Sequence, residues 1–161
     1  MAASPFITHL RELHKKAKAG ALDARDRAQY EQSRRELMRV AFTAQAATFP
    51  GKPQREVTRI ALVLKVEITF SGSAPQSLTT VDVSAQGFSA LLAFGAGVGA
   101  AAQFTMRVPG GDGPIVGKCK VVGHVKQGGL QRFSFAFDGL DAGARDRLEE
   151  TLFDFLIQRL P

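Results

Sequence analysis

Between residues 60 and 137 the chain breaks into six short strand-like runs, and no other feature constrains its fold as strongly. The runs are "IALVLKVEITF", "SLTTVDV", "GFSALLAF", "AQFTMRV", "IVGKCKVVGHV" and "LQRFSFAF". In the first, Val66, Ile68 and Phe70 alternate with Lys65, Glu67 and Thr69, the period of two expected when one face of a strand is buried. The separators "SGSAPQ", "GAGVGA", "PGGDGP" and "KQGG" carry the glycines, prolines and small polar residues that turns demand. Six antiparallel strands so closely spaced imply a closed or nearly closed barrel, because closure removes edges that would otherwise pair with other chains. Phe133, Phe135 and Phe137 alternate on the last run, and Cys119 stands between Lys118 and Lys120; all four are assigned to the core.

On either side the period changes. Pro5 after Ser4 suits a first helical turn, and Ile7, Leu10, Leu13 and Ala17 recur at three-to-four-residue spacing. Gly20 interrupts this pattern. Asp23 then caps a second helix with Tyr30, Leu37, Val40, Ala41 and Ala44 as its apolar or aromatic positions. At the other end "RDRLEETLFDFLIQRL" forms a helix with Leu148, Leu152, Phe155, Leu156 and Leu160 as its stripe. The fold class is mainly β. An N-terminal helical hairpin occupies residues 1–48 and the linker "FPGKPQ" residues 49–54. A six-stranded antiparallel barrel domain with a closing C-terminal helix occupies residues 55–161.

A formal charge of +6, from 21 Lys+Arg against 15 Asp+Glu, favours an anionic partner. Acids interleave with the bases between residues 9 and 39, as on a solvated helix face, and Arg34, Arg35 and Arg39 belong to that face. No apolar run reaches the roughly 18–20 residues of a membrane span. The N-terminus lacks a secretory pattern, and the single Cys119 excludes an internal disulfide, so a reducing cytoplasm is the simplest compartment. His9, His14 and His124 are widely spaced and form no metal set with one cysteine. The glycine-rich turns lack the Lys-Ser/Thr of a phosphate loop, and Ser84 lacks the first glycine of a nucleophile elbow. An enzyme is the least favoured class.

Two short motifs carry the remaining information. "REVTR" places Arg55 and Arg59 four apart, before the first strand. "DVSAQG" places Asp82 and Ser84 on one face of the second strand's end, with Gly87 in position to let the backbone turn or approach a ligand. Alone, the second motif reads as Asp and Ser satisfying local backbone donors. Order changes that reading. Twenty-two residues separate Arg59 from Asp82, enough for a strand, a turn and a second strand. The pair of motifs, RxxxR followed by DxSxxG, resembles the signature of the PilZ domain family, and the resemblance covers roughly residues 53–160.

That resemblance implies a bacterial receptor for cyclic di-GMP that needs no other cofactor, with Arg55, Arg59, Asp82, Ser84 and Gly87 at the ligand. Gln54 would be the position that tunes binding of one ligand or an intercalated pair. The chemistry agrees. Guanidinium can fork onto phosphate oxygens or the guanine O6/N7 edge and can stack on a purine, whereas lysine offers only a point charge. Asp82 can accept from guanine N1–H and N2–H₂, and Ser84 can donate or accept. Arg132 is a further candidate, although a solvated role is favoured for it. In this reading the protein is a non-catalytic effector whose N-terminal helices meet a protein partner. Two alternatives stand beside it: an interaction adaptor of motility or pilus assembly that ignores the nucleotide, and a basic nucleic-acid-binding protein. The intact arginines favour the first reading, since family members that have lost the ligand usually lack them.

Overall fold

The computed structural model describes residues 4–48, 58–93, 95–110 and 112–160. Gln54, Arg55 and the 49–54 linker therefore lie outside the described residues. The chain divides into two compact units, Met1–Thr58 with Phe153–Pro161, and Arg59–Leu152. Among the described residues no helix is long and apolar enough to cross a membrane.

The second unit is a closed antiparallel barrel. Its strands are β1 (Lys65–Phe70), β2 (Gln76–Ser84), β3 (Gly87–Leu92), β4 (Ala101–Met106), β5 (Ile115–Gln127) and β6 (Leu130–Asp138), in the order β1-β2-β3-β6-β5-β4. The six runs read from the sequence are these six strands. Their alternation fills the interior with Val66, Ile68, Phe88, Phe104, Met106, Ile115, Cys119, Val121, Phe133 and Phe135, all buried. Phe88 and Phe135 stack across β3 and β6 with ring centroids 4.9 Å apart. Phe137, by contrast, is only half-buried.

The inward alternation begins earlier than β1. Ile60, Leu62 and Leu64 are all buried, while Val63 between them is exposed. This stretch runs along β2: Ile60 and Val83 exchange two backbone hydrogen bonds of 2.9 Å. Thr80 lies between the two segments. Its hydroxyl donates to the Leu62 carbonyl and accepts from the Leu64 amide, so a side chain replaces part of the ladder. Here the β2–β3 register also shifts, between Thr80 and Asp82. One extra residue on a strand reverses which face the following residues meet. Leu78 pairs with the inward Val66, whereas beyond the shift Val83 turns inward and Asp82 and Ser84 turn outward. The bulge thus puts the second motif on the barrel's outer face.

The first unit is helical. Helix α1 (Pro5–Lys18) starts with proline in its first turn and ends at Gly20 with φ 66°. Ala21 N donates to Lys16 O and Gly20 N to Ala17 O, the paired bonds of a Schellman ending that needs a left-handed residue at this point. Helix α2 (Ala24–Thr48) is capped by Asp23, whose carboxylate accepts from the Asp26 amide at 2.7 Å. Leu10, Leu13, Tyr30 and Leu37 pack with Phe153 and Ile157 from the C-terminal part of α3 (Ala142–Arg159). Several assignments shift. Val40 and Ala44, expected among the apolar positions of α2, are exposed. In α3, Phe153 and Ile157 are buried while Phe155 is half-buried, because the helix is apolar on two faces and a single stripe does not describe it. Leu148 and Leu152 are buried within the barrel unit.

Candidate functional site

The outer face of β2, β3 and β6 carries a compact polar cluster. Asp82 lies opposite Ser89 on β3, and Ser89 lies opposite Ser134 on β6, two pairs along from Arg132. The Ser89 hydroxyl donates to Asp82 Oδ1 at 2.8 Å. Arg132 reaches across two strands: its Nε donates to Ser89 Oγ at 3.2 Å and its Nη2 to Asp82 Oδ2. From the other side Arg59 brings Nη1 to 3.5 Å from Asp82 Oδ1. Arg59 is aimed there by simple periodicity. Ile60 pairs inward with Val83, so the residue before it faces outward beside Asp82 and Ser84.

Asp82 is therefore a nearly buried carboxylate, its side chain 13% exposed, flanked by two arginines exposed at 29% and 32%. Burying a charge without partners is costly, and these contacts supply the partners. One carboxylate against two guanidiniums leaves the cluster net positive, so an added anion meets a favourable field.

The other motif residues do local work. Ser84 Oγ donates to the Gly87 carbonyl at 3.3 Å and accepts from the Gln86 amide at 3.2 Å, which shapes the turn from β2 to β3. Gly87 is needed by the barrel itself. A Cβ there would sit 2.0 Å from the Phe135 carbonyl oxygen and 3.1 Å from Ala136 Cα, because β6 passes directly over it. Close strand approach excludes any side chain at this position, whatever binds outside.

The structure brings together Arg59, Asp82, Ser84 and Gly87; Arg55 and Gln54 lie outside the described residues. Arg132 is not simply solvated, as the sequence suggested, but fixed on Asp82. Ser89, fully buried, is a member that sequence reasoning missed. Its signal was a lone hydroxyl between Phe88 and Ala90 in an otherwise apolar strand. His124 is exposed at the strand surface beside Phe133, and no group of three His, Cys, Asp or Glu among the described residues could hold a metal ion. Arg39 pairs with Glu36 on the surface of α2, and Arg34 lies over the Phe153 ring at 5.0 Å.

The PilZ domain matches residues 53–154, well over half of the 161-residue chain. The chain belongs to the PilZ family. Solved PilZ-type structures share its fold. The inhibitor of motility of Bacillus subtilis (MotI/DgrA) superposes with a TM-score of 0.58 at 18% identity, covering 67% of this chain and 53% of that one. YcgR of Escherichia coli in complex with c-di-GMP gives 0.55 at 19% identity, covering 63% and 46%. The PilZ domain of YcgR with c-di-GMP, taken alone, gives 0.51 at 18% identity, covering 63% and 91%. The chain thus spans about half the length of the first two proteins and nearly all of the isolated domain. None of the curated proteins matches the sequence. At these identities the structures establish a common barrel, and the site rests on this chain's own residues.

Proposed function

We propose that this PilZ protein is a non-catalytic receptor for cyclic di-GMP that turns binding of the dinucleotide into a protein-interaction output. The observation that carries the reading is the convergence of Arg59 and Arg132 on Asp82, on the barrel's outer face, in a chain that keeps both motifs in order. A doubly anionic ligand with guanine edges fits this chemistry. Asp82 accepts from guanine N1–H and N2–H₂, Arg59 and Arg55 take phosphate oxygens or the O6/N7 edge, and Ser84 and Gly87 hold the turn beneath them. That two of the similar structures hold c-di-GMP supports the same reading. The helical unit is the proposed output surface, and a reducing cytoplasm the proposed compartment.

A second reading has its own observation. Asp82, Ser84 and Gly87 each have a structural task in the ligand-free barrel, so the motif would also serve an adaptor that contacts proteins and ignores the nucleotide. Isothermal titration of the purified chain with cyclic di-GMP separates the two. Binding at micromolar concentration or tighter is expected of the receptor. Absence of heat and of any thermal shift at excess ligand would hand the case to the adaptor.

A further inference from the structure

The two arginines on Asp82 are held differently. Arg132 is the third residue of β6, paired with Leu91 on β3 and Val125 on β5, so its backbone is held from both sides. Its guanidinium makes two hydrogen bonds into the cluster, to Ser89 and to Asp82. Arg59 stands outside the six strands, next to an isolated bridge, and approaches Asp82 only to 3.5 Å. Ser89, with no exposure at all, joins Asp82 and Arg132 into a closed triangle of hydrogen bonds.

We propose that Arg132 and Ser89 are positioning residues that tether the Asp82 carboxylate, while Arg59 is the partner that ligand displaces. The proposal rests on the receptor reading for its functional consequence, though the tether itself is a property of the free protein. A carboxylate offers about four acceptor directions on its two oxygens. Ser89 and Arg132 engage one on each oxygen, and Arg59 stands against a third. When Arg59 turns onto a phosphate or a base edge, Asp82 regains acceptor capacity for guanine N1–H and N2–H₂ without losing its orientation. A carboxylate held by second partners on strands presents fixed geometry, which is what discrimination between bases requires. The amine at N2 is the group whose loss such a site should sense.

The test has a ligand-free and a ligand-bound arm, both on the full chain. In NMR spectra of the free protein, the Arg132 Nε–H should exchange with water slowly and should speed up in S89A and in D82N. Exchange as fast as that of an exposed arginine would overturn the tether. By calorimetry, R132A should bind cyclic di-GMP at least tenfold more weakly, and its preference for cyclic di-GMP over cyclic di-IMP, which lacks the N2 amine, should shrink at least threefold. R132K, retaining one charged donor, should recover part of both. R132A added to D82N should cost nothing further. Should R132A melt below the measuring temperature, S89A carries the same comparison, with a smaller loss expected. Unchanged or tighter binding by R132A with its base preference intact would show Arg132 to be a competitor or a bystander. A wild-type chain that ignores cyclic di-GMP would sink the receptor reading, and the exchange rate of the Arg132 Nε–H would still decide the tether.

Discussion

Gly87 and Arg59 share one signature yet fail for different physical reasons when replaced. Gly87→Ala forces a methyl group into the Phe135 carbonyl, and backbone cannot yield as a flexible side chain can. The expected cost is about 3 kcal/mol or more in unfolding free energy, measured in urea, with the loss present in the absence of ligand. Arg59→Ala should leave stability within about 0.5 kcal/mol, as a partly exposed pair contributes little to folding. Its effect should appear in cyclic di-GMP affinity instead, at about 2–5 kcal/mol for a desolvated charged contact. Equal affinity of Arg59→Ala and wild type would place the ligand clamp elsewhere. Cys119 gives a pH prediction. Burial pushes its thiol up from the ordinary 9.0 to about 12, so the folded state holds the proton that the unfolded chain releases first. This contribution is fully present below about pH 9 and is lost as pH rises from there through about 12. Denaturation midpoints should fall across that window, less steeply in C119A. An identical alkaline slope in C119A would assign the loss to other groups.

At the scale of elements, the helical unit is joined by a polar bridge through its centre. His14 on α1 meets Tyr30 Oη of α2 at 2.7 Å through Nδ1 and Asp154 Oδ1 of α3 at 2.5 Å through Nε2. Lys18 adds a 2.6 Å contact to the other Asp154 oxygen, and the Phe153 ring meets His14 edge-on at 5.1 Å. Removing the imidazole takes one hydrogen bond from Tyr30 and one from Asp154 in a largely buried place, although Asp154 keeps Lys18. His14→Ala should therefore cost about 1–3 kcal/mol and lower the melting temperature. If the melt does not move, the bridge adds nothing measurable to the packing of Leu10, Leu13, Tyr30, Leu37, Phe153 and Ile157. In the barrel, the Thr80 bulge is the element on which the site depends, since it decides that Asp82 faces outward.

On the scale of the whole molecule, the charge of +6 admits both a dinucleotide and a nucleic acid, and salt tells them apart. A duplex binder loses affinity with a log–log slope of roughly −0.9 per neutralised phosphate. Two phosphates with base-edge contacts should give a much gentler slope. A steep slope with DNA and silence with the dinucleotide would favour nucleic-acid binding. The relay of the signal is testable by amide exchange. Ligand can shift a conformational equilibrium only by its differential affinity for the states involved. If the helical unit carries the output, saturating cyclic di-GMP should alter protection in residues 23–47 as well as near Arg59. Changes confined to the motif would move the search for an output surface to the barrel.

The sequence by itself determined the six strands, the Asp23 cap of the second helix and the glycine ending of the first, since alternation, Asp23 and Gly20 act over a few neighbouring residues. It also determined the family, because two short motifs in a fixed order survive where overall identity does not. Tertiary structure alone decided the rest. Ser89 and Arg132 join the site only because closure of the barrel sets β3 beside both β2 and β6, a pairing across some forty residues that no local pattern encodes. Gly87 owes its place to β6 passing over it, and His14 its role to helices more than a hundred residues apart in sequence. Val40 and Phe155 were misplaced for the same reason. A helix records in its sequence which residues are apolar, but which of its faces is covered depends on what folds against it.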